Sequence, residues 1–533
     1  MKNLIKPTCI SACALLMVGC AVNPTTGKNE FKMPDGIKNT FANDDPCANN
    51  ARNSGILIGG IAGAVLGNQL GNSKDAKFIG AVLGAMAGGL IGSDIDDRRC
   101  ALSKIAKTNG LTLVSATITL DKLDQKPANN GDKSSSIGLD VMVKNDGDEF
   151  EHGTSILTPK AKIAYGEIAD QYKPDASAAN VDVKSKIAAT NAAKARKVLI
   201  VGHADDTGDS EKAAKLSEER AKAVAQIFAS HGVPSSNIYY QGAGDTLPVA
   251  SNTTEKGSAE NRRTQIVDVP TEKELQQYLS LRSSDPRDFA PVSNQNAPVA
   301  AIQNNAPALV QSHKTHIRHG RLVAAHDKHP LHTAPDVTQV APHEIAPTSG
   351  AYDFGGKPDA GNEIISLGDP VGRSMFNVIS NANADPLTIG SCRKDRPHIA
   401  TSVKNLETGK ELAVRDALPG LYGAPITGTI NGNYVAILNP YAPKDAGMPV
   451  PYPTFEVFQD YSTKHGRTPT FSKQVPVNVY RGSNATLYRM FVGGQLACMD
   501  LVVPTKPVAN KGDLYYRHGG QIYVAQGEFV ARK

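Results

Sequence analysis

The chain has 533 residues, with 57 lysines and arginines against 52 aspartates and glutamates, a formal net charge of +5. That length is enough for two or three domains with sizeable cores. So small a charge excess gives no case for a nucleic-acid partner.

At the start, Lys2 and Lys6 form a positive region and Ile10 to Val18 a short apolar one, closed by Met17-Val18-Gly19-Cys20. This resembles a bacterial lipoprotein signal over 1–19, with Met where the lipobox usually has Leu. The resemblance implies that Cys20 is lipidated and becomes the mature N-terminus. Each buried methylene contributes about 0.8 kcal/mol, so two or three acyl chains anchor firmly where one is marginal. Ala21 after the cysteine is similar to the outer-membrane sorting default of Gram-negative lipoproteins. The plainer reading is an ordinary cleaved signal with an incidental cysteine. Removing the signal discards Cys9 and Cys13, and lipidation uses Cys20, leaving Cys47, Cys100, Cys392 and Cys498. Four cysteines allow three pairings; an oxidising compartment suits disulfides. Cys47 and Cys100 bracket one module and Cys392 and Cys498 lie inside another, which favours those two bonds. Nothing in their spacing reads as a zinc site.

After a tether over 20–50, residues 51–100 carry glycines at every fourth position: Gly59, Gly63, Gly67 and Gly71, then Gly80, Gly84, Gly88 and Gly92. Glycine at that spacing clears one helix face for close backbone approach. Asn72-Ser73-Lys74-Asp75 suits the turn of a helical hairpin, which a Cys47–Cys100 bond would tie at both ends. The pattern resembles the glycine-zipper segments of bacterial surface-antigen lipoproteins. Each arm of about 15–17 residues spans roughly 22–25 Å against a hydrocarbon core of about 30 Å. Membrane-inserted and water-side oligomerising hairpins both remain open.

Leu111 to Leu120 (LTLVSATITL) alternates and is β-branched, and Ile137 to Val143 follows a polar loop. Both read as strands, a β subdomain over 101–144 that leads into a module over 145–270. There KVLIVG, Lys197 to Gly202, reads as a strand ending just before Asp205. An amphipathic helix follows, with Leu216, Val224, Ile227 and Phe228 on one stripe and Arg220 in its early turns. Asp205 stands fifteen residues ahead of Arg220. A strand-to-helix turn of this kind, at a sheet edge, holds an anion and a cation a few ångströms apart. The pair suits a zwitterion, because the carboxylate takes an ammonium and the planar fork of Arg grips a carboxylate. The plainer reading makes Asp205 a helix N-cap and Arg220 a solvated charge.

Phe150, Leu157-Thr158-Pro159, Gly202-His203-Ala204-Asp205 and Leu216-Ser217-Glu218-Glu219-Arg220-Ala221 occur here in that order. Gly242-Ala243-Gly244-Asp245, Pro248, Asn252, Gly257 and Asn261-Arg262-Arg263 follow. From Phe150 to Val269 the chain resembles the OmpA-like C-terminal peptidoglycan-binding domain. The resemblance implies a βαβαβ-type α/β sandwich. It also implies that Asp205 and Arg220 hold the free ammonium and carboxylate of diaminopimelate in the cell-wall stem peptide, with no bond made or broken. Three positions depart from the family pattern: Ala204 stands for Thr, and Gly153 and Ala213 each stand for Asn. Each lost amide removes about 1 kcal/mol of net hydrogen bonding. A segment near Ser177 to Arg196 reads as an insertion.

A helical tail (Glu272 to Leu281) opens a linker over 271–350 rich in Pro, Ala, Asn and Gln. It holds His313, His316, His319, His326, His329, His332 and His343, a tract that binds metal or simply charges as pH falls. A solvated, disordered spacer is the reading favoured here. About 80 such residues span roughly 50 Å, which sets the C-terminal part well away from the module. Residues 351–533 read as an independent β-rich domain of unrecognised family. Asn431-Gly432 within Pro425 to Leu438 signals a hairpin. Gln474 to Tyr480, Thr486 to Val492, Gln495 to Val503 and Gln521 to Ala525 are strand candidates. Tyr434, Tyr480, Tyr488, Tyr515, Tyr516 and Tyr523 suit packing on a pleated surface, or contact with a partner.

The expected fold is therefore α+β and multidomain: a zipper hairpin, an OmpA-like sandwich, a linker and a β-rich domain. A wall hydrolase would need an activated nucleophile, a metal triad or paired carboxylates, and HExxH and GxSxG are both missing. His398, His465 and His518 stand isolated from any such pattern. The leading expectation is a non-enzymatic lipoprotein, without cofactor or metal, lipid-anchored in the outer membrane and facing the periplasm with peptidoglycan as partner. The alternative is a wall-anchored subunit of an envelope-spanning secretion or conjugation machine, whose residues 351–533 bind other envelope proteins.

Overall fold

The computed structural model describes residues 20–22, 29–31, 47, 94–119, 136–145, 147, 149–174, 194–282, 284–290, 292, 352–371, 386–413, 416–445, 447–459, 468–506 and 509–532. The signal, the zipper glycines, the linker histidines and His465 lie outside them. The structure divides into two units: residues 1–107, 119–138 and 177–192 form one, and 108–118, 139–176 and 193–533 the other.

In the first unit the expected Cys47–Cys100 bond forms, with Cα atoms 4.4 Å apart. Cys100 sits on helix α1, over 94–109, whose Ile95 and Leu102 are buried. Among the described residues no helix is long and apolar enough to cross a membrane.

In the second unit a six-stranded sheet carries the module. Its strands are β1 (Leu113–Thr119), β2 (Ser136–Lys144), β3 (Lys197–His203), β4 (Ile238–Gly244), β5 (Arg263–Val269) and the two-residue β6 (Lys404–Asn405), in the order β6-β4-β3-β5-β2-β1. The continuous apolar run of β3 suits a central strand buried on both faces, and every residue after Lys197 is buried. β3 is parallel to β4 and antiparallel to β5. The strands expected over 111–120 and 137–143 are real but form no subdomain of their own, because β2 pairs with β5 along six residues.

Helices pack on or cap this sheet. α2 (Pro159–Asp170) starts at Thr158, whose hydroxyl accepts from Ala161 N at 3.2 Å. α3 (Ser210–Ser230) is the crossover from β3 to β4 and buries Ala214, Ser217, Ala221, Val224, Ala225 and Phe228. The buried stripe is thus narrower than expected, with Leu216 and Ile227 only half-buried. Small residues let α3 lie on the strands. A Cβ on Gly202 would meet Ser217 O at 2.1 Å, and one on Gly242 would meet Ala214 O at 2.3 Å. α4 (Glu255–Asn261) leads into β5.

The tail expected to open a solvated linker is structured up to Val292. α5 (Glu272–Leu281) lays Tyr278 against the sheet, where its hydroxyl donates to the buried Asp140 at 2.8 Å. Burial raises the Asp140 carboxyl to about 6, against hydrogen bonds from Gln265 and Tyr278. Beyond the helix, Asn252 N donates to Asp288 O at 2.9 Å and Val292 N to Lys394 O at 3.1 Å.

The β-rich part is built on one large curled sheet, beside two two-stranded ones. β7 (Ile426–Ile430) and β8 (Asn433–Leu438) make the expected hairpin through Asn431 and Gly432, at φ 45° and 76°. Positive φ at both positions is why Asn-Gly marks such turns. They are followed by β9 (Thr454–Phe458), β10 (Phe471–Gln474), β11 (Val477–Arg481), β12 (Ala485–Met490), β13 (Leu496–Pro504), β14 (Asn510–His518) and β15 (Gln521–Ala531). Their order is β10-β9-β8-β7-β15-β14-β13-β12-β11. The two ends of that path are neighbours in sequence, parted by Val475-Pro476, so the sheet turns back on itself around one apolar core. The strand expected over 474–480 therefore breaks at Pro476, which has no N–H to give a ladder. Tyr480, Tyr488, Tyr515 and Tyr516 are buried, the packing role. The Cys392–Cys498 bond forms as expected, against Tyr515 and Val524.

Residues 395–406 do not stand apart from the module. β6 pairs antiparallel with Tyr239 and Tyr240. Thr401 N donates to Gly242 O at 2.8 Å, and Thr401 Oγ1 accepts from Gly242 N at 3.0 Å. Lys404 pairs with Glu218 of α3 at 2.7 Å. The reason is the unpaired side of β4: an edge strand with buried residues needs partners for its N–H and C=O groups, and this segment supplies them. The expected separation of the two parts is corrected accordingly.

Candidate functional site

Because β3 is central, its end delivers the loop 204–209 between β4 and β5 rather than to a sheet edge. The loop caps α3 through Asp209, whose carboxylate accepts from Lys212 N at 3.0 Å. Asp205 is thereby not the N-cap. Its Oδ2 accepts from Arg262 Nη1 at 2.7 Å, and the two side chains keep 20% and 33% of their exposure, enough for a ligand to reach them. Arg262 also reaches Glu255 at 3.5 Å.

Arg220 lies midway along α3, not in its early turns, because the helix begins at Ser210. Its Nε donates to Thr154 O at 2.8 Å, and its guanidinium sits 4.9 Å from the centre of the Phe150 ring. Burial lowers its pKa below the usual value, while the charges of Asp205 and Glu149 pull the other way. Asp205 and Arg220 thus share a field without a direct hydrogen bond among the described residues. A guanidinium fork and a carboxylate are the kinds of group that grip a carboxylate and an ammonium respectively.

The remaining motif residues build the frame. Phe150 bridges to Leu157. His203 is buried with Nε2 facing Gln265 Oε1 at 2.9 Å, and burial pushes its pKa well below the usual value. Ser217 Oγ donates to Ala214 O at 2.9 Å and accepts from Gly244 N at 3.0 Å. Asn261 accepts from Val249 N and Ala250 N and donates to Ala250 O. Arg263 is buried and donates to Leu247 O and Asn261 O. Of the Asn-Arg-Arg run, only Arg262 faces Asp205. Gly153 adopts φ +70° with open space about it, and Ala204 is held by its N–H to Gly244 O at 2.8 Å.

A second charged cluster lies behind the loop and was not foreseen. His398, expected to stand isolated, places Nδ1 3.0 Å from Asp245 and Nε2 3.3 Å from Asp395, and stacks on Phe289 at 3.8 Å. Burial opposes its charge, yet Asp245 and Asp395 raise its pKa to about 10. Arg396 pairs with Asp206, whose side chain is buried and also accepts from Ala290 N at 3.1 Å. Burial raises the Asp206 pKa, helped by Asp245 and opposed by His398 and Arg396. The only hint in the sequence was the doubled acid Asp205-Asp206.

Asp206, Asp245 and His398 bring ligand atoms within 4.8 Å of one another, a spacing a metal ion could use. The chemistry fits poorly, since a ligand imidazole must be neutral and this one is held protonated between carboxylates. Arg396 and Arg489 add two more cations, the latter 3.0 Å from Asp395 and 2.7 Å from Asp500. Ser210, the hydroxyl of this cluster, is engaged: its Oγ donates to Asp245 at 2.5 Å and accepts from Ile399 N at 2.6 Å. A cavity of about 340 Å³ lies on the far side of α3, lined by Ala214, Glu218, Ile399, Met448, Tyr452 and Val477 among others. It contains none of Asp205, Arg220 and Arg262.

Comparisons with known proteins bear on the family. The model of the OmpA family matches residues 149–262, and that of the glycine zipper 2TM domain matches residues 55–96. The outer-membrane lipoprotein YfiB of Pseudomonas aeruginosa is 34% identical over 163 residues, 30% of this chain and 92% of that protein. The probable lipoprotein YiaD of Escherichia coli is 42% identical over 69 residues, 13% of this chain and 32% of its own length. The peptidoglycan-binding protein ArfA of Mycobacterium bovis is 42% identical over 71 residues, 13% of this chain and 22% of its own.

Proposed function

The chain belongs to the OmpA family, and from that premise we propose that it is a lipoprotein of the outer membrane, anchored through Cys20, that binds peptidoglycan non-covalently. Asp205 takes the ammonium of diaminopimelate in the stem peptide and Arg220 takes its carboxylate. Arg262 occupies Asp205 in the free protein and shares it when the ligand enters. What supports the reading is a partly exposed acid at the end of β3, paired with Arg262, and a half-buried base on α3 that lies within its electrostatic reach. The names of YfiB and ArfA, an outer-membrane lipoprotein and a peptidoglycan-binding protein, support it. The chain then tethers the outer membrane to the wall, with no chemistry on the substrate.

The test is a pull-down with purified sacculi, using the chain from residue 21 onward. Wild type should sediment with the wall, and Asp205→Ala and Arg220→Ala should stay in the supernatant. Retention of both variants overturns the assignment. The match to YfiB covers 30% of the chain, and the extra β-rich domain favours a second role beside tethering, as a subunit of an envelope-spanning assembly. A detergent-extracted protein that runs as a lone monomer argues against that role.

A further inference from the structure

The two acids of the loop 204–209 are held from opposite directions. Asp205 reaches Arg262 within the module. The side chain of Asp206, its neighbour, is buried and is held from outside the module, by Ala290 N and by Arg396. Arg396 also donates to the Asp206 carbonyl at 3.4 Å. Within the module the loop is held by Ala204 N to Gly244 O, Thr207 N to Asp205 O at 3.2 Å, Arg262 on Asp205, Asp206 N to Asn252 Oδ1 at 3.1 Å, and the Asp209 cap. The next residue, Ser210, begins α3 and is held by Ile399 N, from the same C-terminal segment. Asp245, which takes the Ser210 hydroxyl, is in turn held by His398.

We propose that Arg396 is a positioning residue for the wall-binding loop: by holding Asp206 it sets the carboxylate of Asp205, so that docking of the C-terminal domain raises the module's affinity for its ligand. This rests on the reading of Asp205 and Arg220 as the ligand pair. The physical argument is that a buried carboxylate deprived of its cation is costly. Without Arg396, Asp206 turns toward water, and one peptide unit away Asp205 turns with it. Holding a binding group in place before the ligand arrives removes the ordering cost from the binding step. The coupling is reciprocal, so ligand at Asp205 also tightens the C-terminal domain on the module.

The experiment titrates the full chain, signal removed, with a stem tripeptide ending in diaminopimelate, and follows amide exchange of residues 204–209. The proteins are wild type, Asp205→Ala, Arg396→Ala, Arg396→Lys, Asp206→Asn and the double variant of Arg396→Ala with Asp206→Asn. Arg396→Ala and Asp206→Asn should each weaken binding about tenfold, with the double variant no weaker than either alone. Exchange in 204–209 should rise while that of β3 stays the same, and Arg396→Lys should recover part of the affinity. If Asp205→Ala binds as wild type does, the ligand-pair reading fails, and the inference with it. If Asp205→Ala abolishes binding while Arg396→Ala and Asp206→Asn both bind within twofold of wild type, the inference alone is overturned. Should Arg396→Ala not fold, Asp206→Asn decides the matter, since it keeps the shape of the side chain and removes only its charge.

Discussion

Replacing Arg220 by alanine separates what this residue does for the fold from what it does for the ligand. In the free protein it makes one charged hydrogen bond to Thr154 O at 2.8 Å and lies 4.9 Å over the Phe150 ring. A hydrogen bond from a charged group contributes about 1.5–3 kcal/mol and a cation over a ring about 0.5–2 kcal/mol. Both are cut by partial exposure, and Thr154 O regains water when the guanidinium leaves, so about 2 kcal/mol of stability should be lost. In a unit as large as the one that holds Arg220, that lowers Tm by about 2–3 °C. Binding should suffer separately, by about 2–3 kcal/mol or roughly 30- to 150-fold, because the ligand carboxylate loses a paired fork. Lysine discriminates between the two effects. Arg220→Lys keeps a cation near Phe150 and should recover much of Tm, yet it lacks the fork and should stay at least tenfold weaker. Calorimetric titration with the stem tripeptide, beside thermal melts, reads both. Wild-type affinity in Arg220→Lys would refute the reasoning, since the fork would then be irrelevant.

Two further outcomes follow from the geometry. His398 has a folded pKa of about 10 against an ordinary 6.5. Its contribution is therefore complete below about pH 6.5, falls as pH rises, and is gone above about pH 10. Between pH 7 and 10 wild type should lose Tm faster than His398→Gln, and equal slopes would show that the imidazolium is not what holds Asp245 and Asp395. Gly153→Asn should lower Tm slightly, because a side chain at φ +70° is strained although nothing lies within 4 Å of the new Cβ, and less than other residues would, since Asn is among those that best tolerate the left-handed backbone. If the restored amide reaches the ligand, affinity rises about fivefold, worth roughly 1 kcal/mol; tighter binding without that substitution's amide, as in Gly153→Ser, would contradict the explanation.

The module was legible because its signals are local. The apolar run of β3 and the ordered motifs from Phe150 to Arg263 each act within a few residues of where they stand, whereas the helix cap, read as Asp205, is Asp209. The pairing of Asp205 with Arg262 was less so, since 57 residues part them and the Asn-Arg-Arg run gives no sign which arginine turns outward. The docking of the C-terminal domain was invisible for the same reason carried further. Arg396 lies 190 residues from Asp206 and His398 lies 153 from Asp245. An ordinary-looking Asp-Arg-Pro-His turn becomes a clamp only once β4 exposes the edge that β6 fills. A composition that read as solvated spacer likewise hid the ordered stretch up to Val292, because Tyr278 and Phe289 are single anchors in a polar context.

The bend at Val475-Pro476 has a consequence for how the last domain meets other chains. With one kinked run, Phe471 to Arg481, serving both ends of the sheet, the exposed borders shrink to segments of four and five residues. Borders that short are poor templates for a visiting strand. A neighbour must then be recognised by loops and side chains, and newly exported copies are spared from zipping onto one another.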